Sequence, residues 1–286
     1  MKKTVKVVAL IAAMVLTAGF AACQKKDSAG ASGGKKASSR GRAHDATPYL
    51  LIDGTTVLGY RDGLPANIFI PEGVTAIGKE AFKGSGITDV TIPGSVTEIG
   101  KEAFRGYSLK SVTISDGVPS IGVVAFRGCI NLESVAIPAS VTSIEASAFL
   151  ECETLESVTI PEGVTTIGFQ AFRDCKSLTS VAIPEGVTEI GWRAFMECNS
   201  LRDVTIPASV TFIGTNAFSW CGGLKEIRYA GTKAQWNEIK TNKIVGAGYD
   251  SVYNDKVTGE KKIGDVIVSC TDGIIKTEHH YEGNNI

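Results

Sequence analysis

The dipeptide Ala-Phe returns seven times, ending at Phe82, Phe104, Phe126, Phe149, Phe172, Phe195 and Phe218, with steps of 22, 22, 23, 23, 23 and 23 residues. Ile-Pro keeps the same period at Pro71, Pro93, Pro138, Pro161, Pro184 and Pro207. Its absent member falls at Ser115, where the proline is displaced to Pro119. A fixed period of this length is the mark of a stacked-coil architecture, because one such unit cannot bury its own apolar face and successive units bury each other's.

One unit, read from Leu155, is LESVTIPEGVTTIGFQAFRDCKS. Val158 and Ile160 are two residues apart, so a strand turns both to one side. Pro161 has no N–H and ends the ladder. Pro161-Glu162-Gly163 suits a turn with Pro at its second position and Gly at its fourth. Val164 and Ile167 lead back inward, Gly168 fits a tight backbone turn, and Ala171-Phe172 plugs the coil from the other side. No stretch of the unit is long enough for a stable, well-capped helix. Adjacent strands about 4.8 Å apart make seven coils a stack on the order of 35 Å long. The expected fold is therefore mainly β, a solenoid of about seven 22–23-residue coils.

The consensus L-x-x-V-x-I-P-x-x-V-x-x-I-G-x-x-A-F-x-x-C resembles the BspA-like leucine-rich repeat of bacterial and protist surface proteins over residues 68 to 229. Tyr229-Ala230-Gly231-Thr232-Lys233-Ala234-Gln235-Trp236 is similar to the segment that often closes such arrays. The resemblance implies an arc-shaped leucine-rich-repeat solenoid, display on a cell surface, and binding of host matrix proteins or other cells. Both ends of such a stack need caps. Two apolar runs within 49–70, separated by Asp53-Gly54, read as a hairpin. Val266-Ile267-Val268 and Ile274-Ile275, flanking Thr271-Asp272-Gly273, read as a second. The N-terminal cap is assigned to 48–70, the solenoid to 71–228, and the C-terminal cap and tail to 229–286.

Residues 1–22 have the form of an export signal. Lys2, Lys3 and Lys6 precede Val7–Ala22, an uncharged run too short for a typical membrane-spanning helix. Ala21-Ala22-Cys23 resembles the lipobox of bacterial lipoproteins, which implies cleavage before Cys23 and acylation of that residue. Phe20 stands where leucine is usual, and an ordinary signal-peptidase site is the alternative. Residues 23–47 then form a tether. Beyond Cys23 it reads QKKDSAGASGGKKASSRGRAHDAT, with six Lys/Arg and almost no large apolar side chain, and is expected to be a disordered basic linker. The expected location is the cell envelope, lipid-anchored, in the outer membrane and facing outward.

Composition narrows the function. A net charge of -1 gives no basic domain of the kind nucleic-acid binding needs. Three histidines, two of them in Glu278-His279-His280, leave little for His-based catalysis or a metal site. No catalytic grouping, cofactor motif or metal cluster is assigned. Cys129, Cys152, Cys175, Cys198 and Cys221 are spaced by 23, one per coil. They read first as buried thiols packing as small apolar groups. A disulfide between neighbours is the alternative, although parallel side chains suit its dihedral poorly.

Two surfaces are candidates for a partner. The outward strand positions are mostly small: Thr91, Thr113, Ala136, Thr159, Ala182, Thr205 and Arg228, with Asp89, Ser111, Ser134, Ser157, Ser180, Asp203 and Glu226 beside them. The other is more distinctive. The first x of I-G-x-x-A-F is Lys79, Lys101, Val123, Ala146, Phe169, Trp192 and Thr215, so lysine gives way to an apolar run from the third coil on. Phe212, Trp220, Leu150 and Met196 are expected to add apolar area in the same half. Contiguous exposed apolar surface with tryptophan marks partner sites. Val123, Phe169, Trp192, Phe212 and Trp220 are accordingly the candidate partner-binding residues. The expected function is adhesion to a host extracellular-matrix protein or a neighbouring cell surface protein, without catalysis. The alternative is an envelope structural or assembly role with another envelope protein as partner.

Overall fold

The computed structural model describes residues 44–45, 47–239 and 266–276. The signal segment, Cys23, the tether up to residue 43, residues 241–264 and the His279-His280 pair lie outside them; the tether's last residues, expected to be disordered, are corrected, because His44–Asp45 is a short strand paired parallel with Asn67–Phe69. The described chain is a β-solenoid with a spacing of about 23 residues and very little helix.

Each coil contributes two short strands. On the first face, Asn67–Phe69, Asp89–Ile92, Ser111–Ile114, Ser134–Ala136 and Ser157–Thr159 run parallel in one ladder. Ser180–Ala182, Asp203–Ile206 and Glu226–Tyr229 run parallel in the next. On the second face lie Ala76–Ile77, Glu98–Ile99, Ser120–Ile121, Ser143–Ile144, Thr166–Ile167, Glu189–Ile190 and Phe212–Ile213. The register is position for position: Val135 pairs with Val112 and Val158, and Ile144 with Ile121 and Ile167. Register and repeat are the same statement here, because a one-residue slip would turn every inward Val and Ile to solvent. The strand Glu226–Tyr229 begins an eighth turn beyond the seven Ala-Phe units.

The third side of each coil, carrying Ala-Phe, is not a strand. Its backbone still bonds along the stack: Phe126, Phe149, Phe172 and Phe195 each donate N–H to the alanine carbonyl of the next coil at 2.8 Å. The residue two before each phenylalanine has a positive φ, from 54 to 61° at Glu80, Glu102, Val124, Ser147, Gln170, Arg193 and Asn216. This left-handed conformation is unfavourable for side-chain-bearing residues. It persists because it turns the N–H toward the next coil, as in Gln170 to the Trp192 carbonyl at 2.9 Å.

The core is a set of columns. Leu132, Leu155, Leu178, Leu201 and Leu224 line one row; the valines, isoleucines and alanines of the consensus line others, buried except for the partly buried Val158. The seven phenylalanines form a continuous stack with ring centroids 5.2–5.4 Å apart and nearly parallel planes. Tyr60 extends it at 6.2 Å from Phe82. Such spacing is that of offset-stacked rings.

Two local expectations are corrected. Val164 donates its N–H to the Pro161 carbonyl at 3.0 Å, so proline opens the turn at its first position rather than its second. Gly168 has no positive φ. It is required by close approach: a Cβ there would lie 2.7 Å from the Glu145 carbonyl carbon of the preceding coil.

Both caps contain hairpins. Leu50–Asp53 pairs antiparallel with Thr56–Tyr60, which docks parallel on Ala76–Ile77 and covers the first coil. At the other end Ile267–Cys270 adds parallel to Glu226–Tyr229 and turns into Gly273–Lys276. The closing segment around Trp236 is a short helix, Lys233–Glu238. Thr232 and Gln235 cap it reciprocally, and Trp236 packs edge-on against Tyr229 at 5.2 Å.

Candidate functional site

The apolar column sits at the corner between the second face and the Ala-Phe side. The carbonyls of Val123, Ala146, Phe169 and Trp192 each accept an N–H from the preceding coil, at 2.7–3.2 Å. These hydrogen bonds hold the four residues side by side along the stack. Val123 and Phe169 are 38% and 42% exposed, and Trp192 is half-buried. Trp192 leans toward the seventh coil, where a Cβ on Gly214 would meet its ring Cδ1 at 2.3 Å. The Cδ1 edge of the ring therefore occupies the space that a side chain at 214 would need.

The remaining candidates divide. Phe212 is half-buried on the second face, in register with Glu189. Trp220 is 47% exposed, but it belongs to another column, which begins at Gly128 and whose other side-chain-bearing members are Glu151, Asp174 and Glu197. All four of these side-chain-bearing residues share a positive φ of 61–65°. Leu150 is buried and adds no accessible surface, which corrects the expectation for it. The apolar residues that adjoin one another are thus exposed Val123 and Phe169 with half-buried Ala146 and Trp192, and Trp220 is set apart across a charged strip.

That strip is legible only in three dimensions. The residue after each Ala-Phe is Lys83, Arg105, Arg127 or Arg173 in four coils. Lys83 bridges Glu80 at 3.0 Å and Glu102 at 2.8 Å, and Arg105 adds a contact to Glu102 at 2.9 Å. Hydrogen bonds from Lys83 and then Arg105 hold the Glu102 carboxyl down at about 2. Arg127 grips Glu151 with two N–H groups at 3.0 and 3.2 Å, and Arg173 reaches Glu197 at 2.9 Å. Partners from successive coils are brought together by the stacking. Exposed pairs of this kind contribute little stability, up to about 1 kcal/mol each.

Asp174 stands out within the strip. Burial, then a hydrogen bond shared with Glu197, raises its carboxyl from 3.8 to about 6 against the opposing pull of Arg173. A raised acid contributes stability that is complete below its unfolded value and lost as pH rises through the folded value. Asp174→Asn is therefore expected to stabilise the protein at pH 7 by about 1 kcal/mol, after discounting for solvent screening. It is also expected to flatten the stability profile between pH 4 and 6. Urea midpoints across that range test this, and an unchanged slope would refute the assignment.

The cysteine column is buried and unbridged: Cys129, Cys152, Cys175, Cys198 and Cys221 are all free thiols. Each donates its S–H to the carbonyl of the preceding coil's phenylalanine, from Cys152 to Phe126 at 3.2 Å through Cys221 to Phe195 at 3.2 Å. Burial pushes the Cys221 thiol up to about 12, and Cys152, Cys175 and Cys198 likewise upward. Among the described residues no three His, Cys, Asp or Glu gather as a metal site.

A stack of β-coils with a leucine column, a parallel face and a closing helix defines a leucine-rich-repeat solenoid, a class that typically serves as a scaffold for protein interaction. The chain belongs to the BspA-type leucine-rich repeat family, whose model matches six copies over residues 64–176 and 143–242. Solved structures with a similar chain include a leucine-rich cell surface protein from Faecalibacterium prausnitzii. It is 34% identical, over 61% of this chain and 56% of that one, with a TM-score of 0.49. A leucine-rich repeat protein from T. pallidum is 24% identical over 65% of this chain and 81% of that one, TM-score 0.47. A leucine-rich repeat protein from Bacteroides ovatus is 24% identical over 63% of this chain and 69% of that one, TM-score 0.43. The match to the first of these thus spans little more than half of its length. Comparison with curated proteins finds no match.

Proposed function

We propose that this protein is a surface-displayed, lipid-anchored adhesin-like solenoid that binds a host extracellular-matrix protein or another cell through its repeat surface. The supporting observation is the apolar corner formed by Val123, Ala146, Phe169 and Trp192, where the first two coils carry Lys79 and Lys101. An exposed Phe beside a Trp in a row of fixed backbone presents rigid aromatic area at low entropic cost, as binding hot spots do. The ion-paired strip beside it supplies a polar rim. Acylation at Cys23 would place many copies on one membrane, so that weak single contacts act together.

The test is binding of the protein to immobilised fibronectin and fibrinogen, beside a Phe169→Ser/Trp192→Ser variant matched for thermal stability. The expected result is binding that falls at least tenfold in the variant, since losing one or two hot-spot aromatics costs about 2 kcal/mol or more. Binding that survives moves the site to the small-residue strand face or a cap. Absence of binding by either protein sinks the matrix-adhesin reading and directs the search to envelope proteins.

A further inference from the structure

A sheet made of stacked coils can continue past its last coil unless something stops it. At the C-terminal end the place of the next second-face strand, 23 residues beyond Phe212–Ile213, is taken by the helix Lys233–Glu238. The N-terminal end has no such stop. There the second-face sheet runs outward from Glu98–Ile99 through Ala76–Ile77 and Thr56–Tyr60 to Leu50–Asp53, and no described strand pairs with the far edge of Leu50–Asp53. That edge points along the axis of the stack, away from the first coil. Leu50, Leu51 and Ile52 carry no charge to deter pairing, and an edge of this kind is a template for another strand.

The register fixes which groups are open. Arg61 donates its N–H to the Tyr49 carbonyl at 2.7 Å, so Leu50 and Tyr60 oppose each other as a non-hydrogen-bonded pair. Backbone groups alternate sides along a strand, so Leu50 and Ile52 both turn N–H and C=O to the free edge. Their side chains lie on the core side, Leu50 opposite Tyr60 and Ile52 opposite buried Val57. Even so, Ile52 is 39% and Tyr60 36% exposed, although the Tyr60 ring stacks on Phe82. Core-side groups are exposed here because, among the described residues, no coil lies beyond them.

We propose that a second copy of this chain pairs antiparallel with Leu50–Asp53, joining two solenoids end to end about a two-fold axis at Leu51. The strand is self-complementary in that register. Leu50 of each copy opposes Ile52 of the other, and these are the residues whose backbone groups face outward, so four N–H···O=C bonds form and no open group of 50 or 52 is left over. On the core side, the exposed Ile52 of each copy gains the other's Leu50, which covers the open end of both cores. Leu51 meets its own counterpart on the opposite face. The two Asp53 carboxylates fall at opposite ends of the pairing, roughly 14 Å apart at strand rise, so like charges do not oppose each other. The dimer carries two copies of the Phe169 and Trp192 corner, one on each arm, and so gives each assembly two chances of engagement.

The test uses the full chain in detergent, with micelles in excess of protein and a Cys270→Ser background. Sedimentation equilibrium is expected to show a concentration-dependent dimer. Ile52→Lys puts two ammonium groups into the joined core ends and is expected to weaken the dimer at least tenfold. Ile274→Lys, at the opposite end of the stack, is expected to leave it unchanged, and circular dichroism verifies the fold of both variants. The register is read without a disruptive variant. Leu51→Cys, at an exposed position, is expected to form a 51–51 disulfide under copper-phenanthroline oxidation, mapped by mass, because non-hydrogen-bonded neighbours lie near disulfide distance. Asp53→Cys is expected not to bridge to itself. A chain that stays monomeric at submillimolar concentration overturns the proposal and leaves the edge to a strand of another protein. A dimer lost in Ile274→Lys but kept in Ile52→Lys, a dimer without the 51 bridge, or equal bridging at 51 and 53 also overturns it.

Discussion

Removing one ring from the middle of the phenylalanine stack, Phe172→Ala, is expected to cost about 3–5 kcal/mol and to break the cooperativity of unfolding. Phe172 is fully buried and lies between Phe149 and Phe195, each with centroids 5.3 Å away. In a stack, each coil touches only its neighbours, so stability is close to a sum of coil terms and interfaces between coils. An alanine at 172 weakens two interfaces at once and leaves a void that strands held in exact register on two faces cannot close. The consequence is separation of the two halves of the stack. All three tryptophans, Trp192, Trp220 and Trp236, lie in the C-terminal half. Fluorescence therefore reports that half and far-UV circular dichroism the whole. Coincident transitions by the two probes are expected for the parent protein and separated ones for Phe172→Ala. A variant that stays coincident and loses less than about 1 kcal/mol would show that the rings merely fill space and do not couple the coils.

The second large effect is kinetic protection of the thiols. Cys129, Cys152, Cys175, Cys198 and Cys221 are buried and hydrogen-bonded to carbonyls, and burial pushes the thiols of Cys152, Cys175, Cys198 and Cys221 well above their ordinary range. Only the thiolate reacts with alkylating reagents. Modification must therefore wait for opening of the coil, and rates should fall by a factor on the order of 10³ or more relative to the unfolded chain. Half-buried Cys270, on the terminal hairpin, is expected to react first. Brief alkylation with mass analysis, native and in urea, checks this. Native labelling of Cys175 at the rate of an unfolded thiol would refute it, and a mass two hydrogens short would restore the disulfide alternative.

The architecture was readable because the repeat overdetermines it. Seven copies of one spacing set the coil length, the inward residues and the parallel register together, and the Ala-Phe period became the ring stack without adjustment. The caps were also legible, because Asp53-Gly54 and Asp272-Gly273 punctuate apolar runs in the manner of hairpins. The candidate site was only partly so. Column membership places Val123, Ala146, Phe169 and Trp192 together from spacing alone. Trp220, expected to add apolar area in the same half, stands instead with Glu151, Asp174 and Glu197, because two left-handed residues per coil turn the chain between the two positions.

The coil, its period, its core and the row of apolar residues along one corner follow from which residues recur at which interval. How neighbouring coils face each other depends on the folded stack. It sets which charges meet, as Arg127 meets Glu151; which carboxyl is raised, as Asp174 is beside Glu197; and why Gly168 must be glycine. The reason is that a period specifies identity along the chain, whereas contacts between coils depend on backbone dihedrals and side-chain directions at the corners, where the repeat is least regular.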